Sequence, residues 1–427
     1  MTIGGAFVVA SLLLYVAQAH SDPPAPALKA LFRADGNTKH AAFGCYRSPT
    51  LLRAGSSLLA IAAHHWDPKE SACNDVGLKA IVVRSTRDGK VWSEPRTILN
   101  DTAPSRFPGE DGISMGTALW DTHTKTAFLF YVTCGHVPGR AAPAPAHCPH
   151  AKFVMTSSDE GMSWSLPRNL TAALAAMGMP GIWAPGPATG ISLPTGRLLA
   201  CGSYRPSPKY STTPPVRSIS QCIASDDYGA SWRKVGAANY SGIQGTSSDL
   251  QPNEVQPALL ANGSILLNMR NVGKGHGYRL LSVSTDRGEN FGPAWNEKQL
   301  YDYPSTEGSM IQHGSCLYVS NLGETPSDRK VNDPCEPAPQ PSPCSSRHNL
   351  TLHASCDQAK TWQMMLSIYP GPAAYSSLST LPWNNANKVG VLFESGPVAA
   401  ANMTDGMLAP YHQLTYAELP AADKQIP

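Results

Sequence analysis

Ser157-Ser158-Asp159-Glu160-Gly161-Met162-Ser163-Trp164 follows the pattern S-x-D-x-G-x-[S/T]-[W/F], and the chain repeats that pattern five times. Ser225–Trp232 is a second full copy, and Ser284–Phe291 a third with Asn290 in the Ser/Thr place. Two copies are worn: Ser85–Trp92 has Arg87 where Asp belongs, and Ser355–Trp362 has Ala359 where Gly belongs. The copies begin roughly 60–70 residues apart, a period that marks a repeat architecture. Each reads as a hairpin turn. Asp and Ser side chains bond nearby backbone N–H groups, Gly takes the positive φ, and the Trp or Phe buries an apolar face beneath the turn. Apolar stretches precede the turns as strands: Ala80–Val83, Lys152–Met155 and Arg279–Val283. One such turn per blade predicts an all-β, six-bladed β-propeller.

The rest of the chain bounds the class. At 427 residues and a net charge of +2 it is near neutral, with no basic runs to suggest nucleic acid. Pro and Gly are dispersed, as in a turn-rich β-protein. The apolar run Ala6–Ala17, followed by Ala17-Gln18-Ala19, reads as a secretory signal over residues 1–19. It falls short of the about 18 residues that a membrane span needs. A Pro/Ala leader (20–30), a propeller (31–419) and a short tail (420–427) follow.

Six N-x-[S/T] sequons suit a secretory route: Asn100, Asn169, Asn239, Asn262, Asn349 and Asn402. So do ten cysteines, all beyond the signal. Cys134/Cys148, Cys201/Cys222 and Cys335/Cys344 are the close-spaced disulfide candidates. The cluster Cys134, His136, His147, Cys148 and His150 matches no standard zinc spacing, and a disulfide-closed loop is the better reading. Pro138–Pro149 and Pro334–Pro343 read as surface insertions.

Several ordered motifs carry a family resemblance. They are Tyr46-Arg-Ser-Pro49, Ala184-Pro-Gly-Pro-Ala-Thr-Gly190, Asn253-Glu-Val-Gln-Pro257, Asn268-Met-Arg-Asn271, Arg347-His-Asn-Leu-Thr-Leu352, Tyr369–Leu378 and Phe393-Glu394. Over nearly all of the mature chain the sequence resembles the animal-type exo-α-sialidases (neuraminidases), the lysosomal type most of all. The resemblance implies a retaining glycosidase acting on sialylated glycans, with no cofactor and no catalytic metal. It implies three arginines around the substrate carboxylate: Arg47, Arg270 and Arg347. Glu394 would hold the first of them. Tyr375 would be the nucleophile and Glu254 its base.

Asp75, in Asn74-Asp75-Val76-Gly77, would be the acid/base, with Asp67 as its competitor. An address in the secretory pathway, lysosomal or extracellular, follows from the same likeness, as does a carboxypeptidase-type protective protein as a candidate partner. The chain departs from the family at Ala62-Ala63-His64-His65, where Ala-Glu-x-Arg is usual, so His65 stands near a missing arginine. Trp183, Met115 and Tyr204 are further candidates to line the pocket, with a core role an equal reading for each. A non-catalytic sialic-acid-binding propeller and a hydrolase for a related nine-carbon acid are the other readings.

Overall fold

A computed structural model describes residues 25–34, 44–66, 73, 78–101, 112–133, 151–205, 218–238, 251–272, 277–302, 305–323, 347–383, 387–397 and 409–421. The chain opens with β1 (Lys29–Arg33). A first set of four strands follows: β2 (Cys45–Ala54), β3 (Ser57–His65), β4 (Lys79–Thr86) and β5 (Arg96–Asn100). The second holds β6 (Ser114–Asp121), β7 (Thr126–Val132), β8 (Lys152–Ser157) and β9 (Arg168–Asn169), and leads to a short helix, α1 (Thr171–Ala176). The third has a broken inner strand made of β10 (Ile182–Pro185), β11 (Ala188–Thr189) and β12 (Ile191–Ser192). Outside it lie β13 (Leu198–Arg205), β14 (Ile219–Ser225) and β15 (Arg233–Ala237). The fourth is β16 (Pro252–Leu259), β17 (Ile265–Asn271), β18 (Gly277–Ser284) and β19 (Trp295–Asp302). Then come β20 (Ser309–His313), β21 (Cys316–Leu322), β22 (His348–Ser355) and the long β23 (Gln363–Thr380), followed by β24 (Lys388–Ser395) and β25 (Gln413–Pro420).

Hydrogen bonding groups these strands into five sheets rather than six, because β23 serves two of the sets. Its first part pairs with β22, from Gln363↔Ala354 to Pro372↔His348, and its second part pairs with β24, from Ala373↔Ser395 to Thr380↔Val389. Divided there, the seven-stranded sheet is two sets of four, the last of them completed by β1 against β25. The core has the matching form. Six apolar layers lie between neighbouring sets, and a single strand feeds two of them by alternation. Leu198 and Ala200 of β13 pack towards the second set, while Leu199 and Cys201 pack towards the fourth. This explains why residues 58–63 of β3 and 127–132 of β7 are continuous apolar runs: both faces are covered. The innermost strands touch in sequence, β2 to β6, β6 to the broken strand β10–β12, that strand to β16, β16 to β20, β20 to β23, and β23 back to β2. The ring is closed.

All five repeat turns join a third strand to a fourth. In the second set Ser157 Oγ donates to Asp159 Oδ1 (2.7 Å), the Gly161 N–H donates to Ser157 Oγ (2.8 Å), and the Ser163 N–H donates to Asp159 Oδ1 (2.9 Å). Those bonds favour the ionised carboxylate and hold Asp159 at about 2, against the desolvation that comes with folding. Two consecutive residues take positive φ in the full copies, as at Tyr228 (57°) and Gly229 (89°). Ala359 takes φ 66° in the place of Gly, and its N–H still reaches Ser355 Oγ at 3.0 Å.

The first copy is corrected by the structure. Arg87 does not replace the aspartate, because Asp88 fills that role in a turn one residue shorter. Thr86 Oγ1 donates to Asp88 Oδ1 (3.1 Å), the Gly89 N–H donates to Thr86 Oγ1 (3.0 Å), and the Val91 N–H donates to Asp88 Oδ1 (2.9 Å). Every turn is also clasped by the set before it. Arg96 donates to the Gly161 carbonyl at 2.7 Å, Arg168 to the Ala230 carbonyl at 2.8 Å, and the Gly236 N–H to the Gly288 carbonyl at 3.0 Å.

Three disulfides lie among the described residues: Cys45–Cys73, Cys201–Cys222 and Cys316–Cys356. Cys201–Cys222 is the pair expected from spacing, and its cysteines face one another across β13 and β14. The other two join cysteines 28 and 40 residues apart, so close spacing was no guide to them. Cys134, Cys148, Cys335 and Cys344, and with them the zinc reading, lie outside the described residues. Of the sequons, Asn100, Asn169 and Asn262 are exposed, while Asn239 and Asn402 lie outside the described residues. The Asn349 amide is engaged with the Gly323 carbonyl and Ser367 Oγ. No helix among the described residues is long and apolar enough to cross a membrane.

Candidate active site

First strands begin, second strands end and third strands begin at one end of the ring. The repeat turns follow third strands, so they sit at the opposite end. A cavity of about 320 Å³ opens at the first end. Arg47 of β2, Glu254 of β16, Arg270 at the end of β17 and Tyr375 of β23 line one side of it. The sequence places these residues up to 328 positions apart, and ring closure brings them together.

The centre is a phenol, a carboxylate and a guanidinium. The Tyr375 hydroxyl donates to Glu254 Oε1. Arg270 Nη1 donates to Glu254 Oε2 at 2.8 Å and to the Tyr375 oxygen at 3.1 Å. Arg270 Nε reaches Ser305 Oγ at 3.3 Å. Burial pushes the phenol well above its ordinary range and the Glu254 charge adds to this, while Arg270, Arg347 and Arg47 oppose it. The resting nucleophile candidate is therefore a neutral phenol on an adjacent proton acceptor. Burial alone would lower the Arg270 guanidinium, but the Glu254 charge more than offsets that.

Glu394, fully buried at the end of β24, ties two of these groups together. Its Oε1 lies 3.4 Å from Arg47 Nε and accepts the Ser48 N–H at 3.0 Å, and its Oε2 accepts the Tyr375 N–H at 3.0 Å. Burial raises its carboxyl, and Arg47 and the two amides pull it back. Arg347, just ahead of β22, stands off the cavity lining. Its guanidinium lies 5.5 Å from the centre of the Tyr375 ring, and its Nη1 donates to the Tyr411 hydroxyl at 2.9 Å. Sequence reasoning missed Tyr411. Its ring also lies 4.2 Å from the Arg47 guanidinium, so it joins two of the three arginines. Nothing in Ala409-Pro410-Tyr411 signals this, because only the fold carries that turn to Arg47 and Arg347.

The far side of the cavity holds His65, Lys79, Met115, Ile182, Pro185 and Arg205. His65 thus lines the pocket, as its place in the departed motif suggested. Met115 lines it too. Trp183 and Tyr204 do not. They are core residues, with the Trp183 indole N–H on the Gln221 carbonyl (3.1 Å) and the Tyr204 hydroxyl accepting the Gly181 N–H (3.3 Å). Asp67 and Asp75 lie outside the described residues. Cys73 is described. It is bridged to Cys45, and its carbonyl accepts from Arg47 Nη1 at 3.0 Å. Among the described residues no group of His, Cys, Asp and Glu has the makeup of a metal site.

This ring finds counterparts among known proteins. The family described as BNR repeat-like domain matches residues 70–386, most of the chain, and the chain belongs to it. A sialidase of Micromonospora viridifaciens is 28% identical over 387 residues, covering 83% of this chain and 50% of that protein. Human sialidase-4 is 29% identical over 283 residues, covering 62% of this chain and 54% of its own length. The chain thus spans about half the length of these two relatives. Among solved structures, the Hadza microbial sialidase Hz136 superposes with a TM-score of 0.67 at 21% identity, over 91% of this chain and 67% of that one. At that identity the likeness supports the propeller fold alone.

Proposed function

We propose that this protein is a retaining exo-α-sialidase that removes terminal sialic acid from glycoproteins, oligosaccharides and glycolipids. The contact of the Tyr375 hydroxyl with Glu254, backed by Arg270, carries the reading. The relatives named sialidase support sialic-acid hydrolysis in general. Sialic acid bears a carboxylate on its anomeric carbon, and planar, permanently charged guanidinium groups suit it. We assign Arg47 and Arg270, which line the cavity, and Arg347, which stands beside the Tyr375 ring, to that clamp.

A carboxylate nucleophile would be repelled by the substrate's own charge, whereas a neutral phenol is not. As the Tyr375 oxygen bonds to the anomeric carbon, Glu254 takes its proton. The bond to the aglycone oxygen breaks, and Asp75 gives that oxygen a proton. In the second step water loses a proton to Asp75 and bonds to the same carbon. The phenol then leaves and recovers its proton from Glu254. Two displacements at one carbon retain configuration. A non-catalytic binding propeller would need the arginines but not the Tyr375–Glu254 contact.

One assay tests this, using purified protein with a fluorogenic aryl α-sialoside and with a natural sialoside across pH. We expect turnover by the parent and a loss of several orders of magnitude in Tyr375→Phe. Asp75→Ala should lose most on the natural sialoside, whose leaving group needs the proton. An active Tyr375→Phe variant would sink the mechanism. An Asp67→Ala variant with the stronger, substrate-selective loss would move the acid role to Asp67.

We further place the protein in the secretory pathway, lysosomal or extracellular. Expressed in animal cells, it should shift in mobility on enzymatic removal of N-glycans. An unshifted, cytosolic product would overturn that address.

A further inference from the structure

A second carboxyl group lies behind the nucleophile. Glu307, two residues ahead of β20, is 2% exposed. Its Oε2 accepts the Ser376 N–H at 3.0 Å. The preceding amide, that of Tyr375, goes to Glu394 Oε2 at 3.0 Å. Successive amides at the nucleophile are therefore each held by a carboxyl group, one from β24 and one from the approach to β20. The need is local. The register of β23 against β24 shifts between Ala373 and Ser376, so ladder pairing lapses there and the freed N–H groups require other acceptors.

The two carboxyl groups sit in unlike surroundings. Glu394 has Arg47 beside it and accepts two amides. Glu307 accepts one amide, and its Oε1 is buried with no hydrogen-bond partner among the described residues. The charged groups facing it are Glu254 from β16, Arg279 from β18 and Glu394 from β24. Arg279 is already engaged by Asp302 Oδ2 (2.9 Å), Asn268 Oδ1 (2.8 Å) and the Thr306 carbonyl (2.6 Å). Glu254, by contrast, has Arg270 at 2.8 Å. A buried carboxyl group with one amide partner and no cation of its own is held in its protonated form.

We propose that Glu307 is a positioning residue of this site and works as the uncharged acid. Its Oε2 fixes the β23 backbone that carries Tyr375, and its unpartnered Oε1 keeps the proton. Burial, and after it the Glu254 charge, push this carboxyl well above the ordinary range. The proposal rests on the catalytic reading of Tyr375 and Glu254, and its test has one arm that needs no catalysis.

In that arm the melting temperatures of the parent and Glu307→Gln are compared from about pH 4 to about pH 8, spanning the ordinary glutamate value and the range above it. A carboxyl raised in the folded state contributes stability that is intact below its unfolded value and is lost as pH rises towards the folded one. Glu307→Gln should therefore gain on the parent as pH rises, and a pH-independent difference would overturn the proposal. In the second arm, with an activated aryl sialoside, Glu307→Ala leaves the Ser376 amide unpaired. Its kcat should fall by about tenfold or more, with KM changed by less than about threefold. Glu307→Gln should recover most of that loss. If Glu307→Gln is as impaired as Glu307→Ala, a charge is required there and the idea fails. An active Tyr375→Phe variant would instead sink the nucleophile assignment and leave the melting arm intact.

Discussion

Arg47, Arg270 and Arg347 are three cations held in three ways. Arg47 lies against Glu394 and the Tyr411 ring, Arg270 bonds Glu254 and the Tyr375 oxygen, and Arg347 bonds the Tyr411 hydroxyl. Truncating one partner of a desolvated charge contact costs about 2–5 kcal/mol. Arg47→Ala, Arg270→Ala and Arg347→Ala should each weaken a planar, carboxylate-bearing inhibitor of the unsaturated sialic-acid type by that order, as read by calorimetry. Equal binding by all three variants and the parent would remove the clamp. These arginines were legible because each sits in a motif. Tyr411 and Glu307 were not, because their roles arise from contacts with residues 64 and 69 positions away.

The repeat turns were the most legible elements, since their chemistry is complete within eight residues. Even the worn copies keep the form, with Asp88 moving into a shorter turn and Ala359 accepting the left-handed backbone. What the pattern does not reveal is how firmly each turn is docked. Gly229 takes φ 89°, and a Cβ added there would meet Phe128 Cε1 at 2.2 Å. Gly229→Ala therefore combines left-handed strain of about 1–2 kcal/mol with overpacking of about 1–3 kcal/mol. Denaturant unfolding should show a loss of a few kcal/mol with the pocket chemistry unchanged. A variant as stable as the parent would mean that the turn is not anchored on Phe128.

Closure of the ring depends on the first strand meeting the last. β1 completes the set of β23, β24 and β25, and Leu31 and Phe32 join the apolar layer shared with Leu51, Leu58 and Tyr416. Burial of such side chains stabilises by about 1.5–3 kcal/mol each. Removing Lys29–Arg33 should lower the melting temperature and weaken inhibitor binding, because β2 with Arg47 packs on that same layer. Unchanged melting of the shortened chain would show that β25 closes the ring alone.

The sequence by itself determined the all-β repeat architecture, because a turn of Asp, Ser, Gly and Trp is a local solution to local backbone demands. The arginines, the tyrosine and two glutamates were candidates only through the family resemblance of short motifs, each a few consecutive residues long. Only the tertiary structure decided that β23 belongs to two sets of strands and that Tyr411 joins Arg47 to Arg347. The same holds for Cys45 pairing with Cys73 and for the buried Glu307, whose Oε2 accepts the Ser376 N–H beside Tyr375. The physical reason is common to these features. Each depends on which strands become neighbours when the ring closes, and on what burial then does to the charges that meet there.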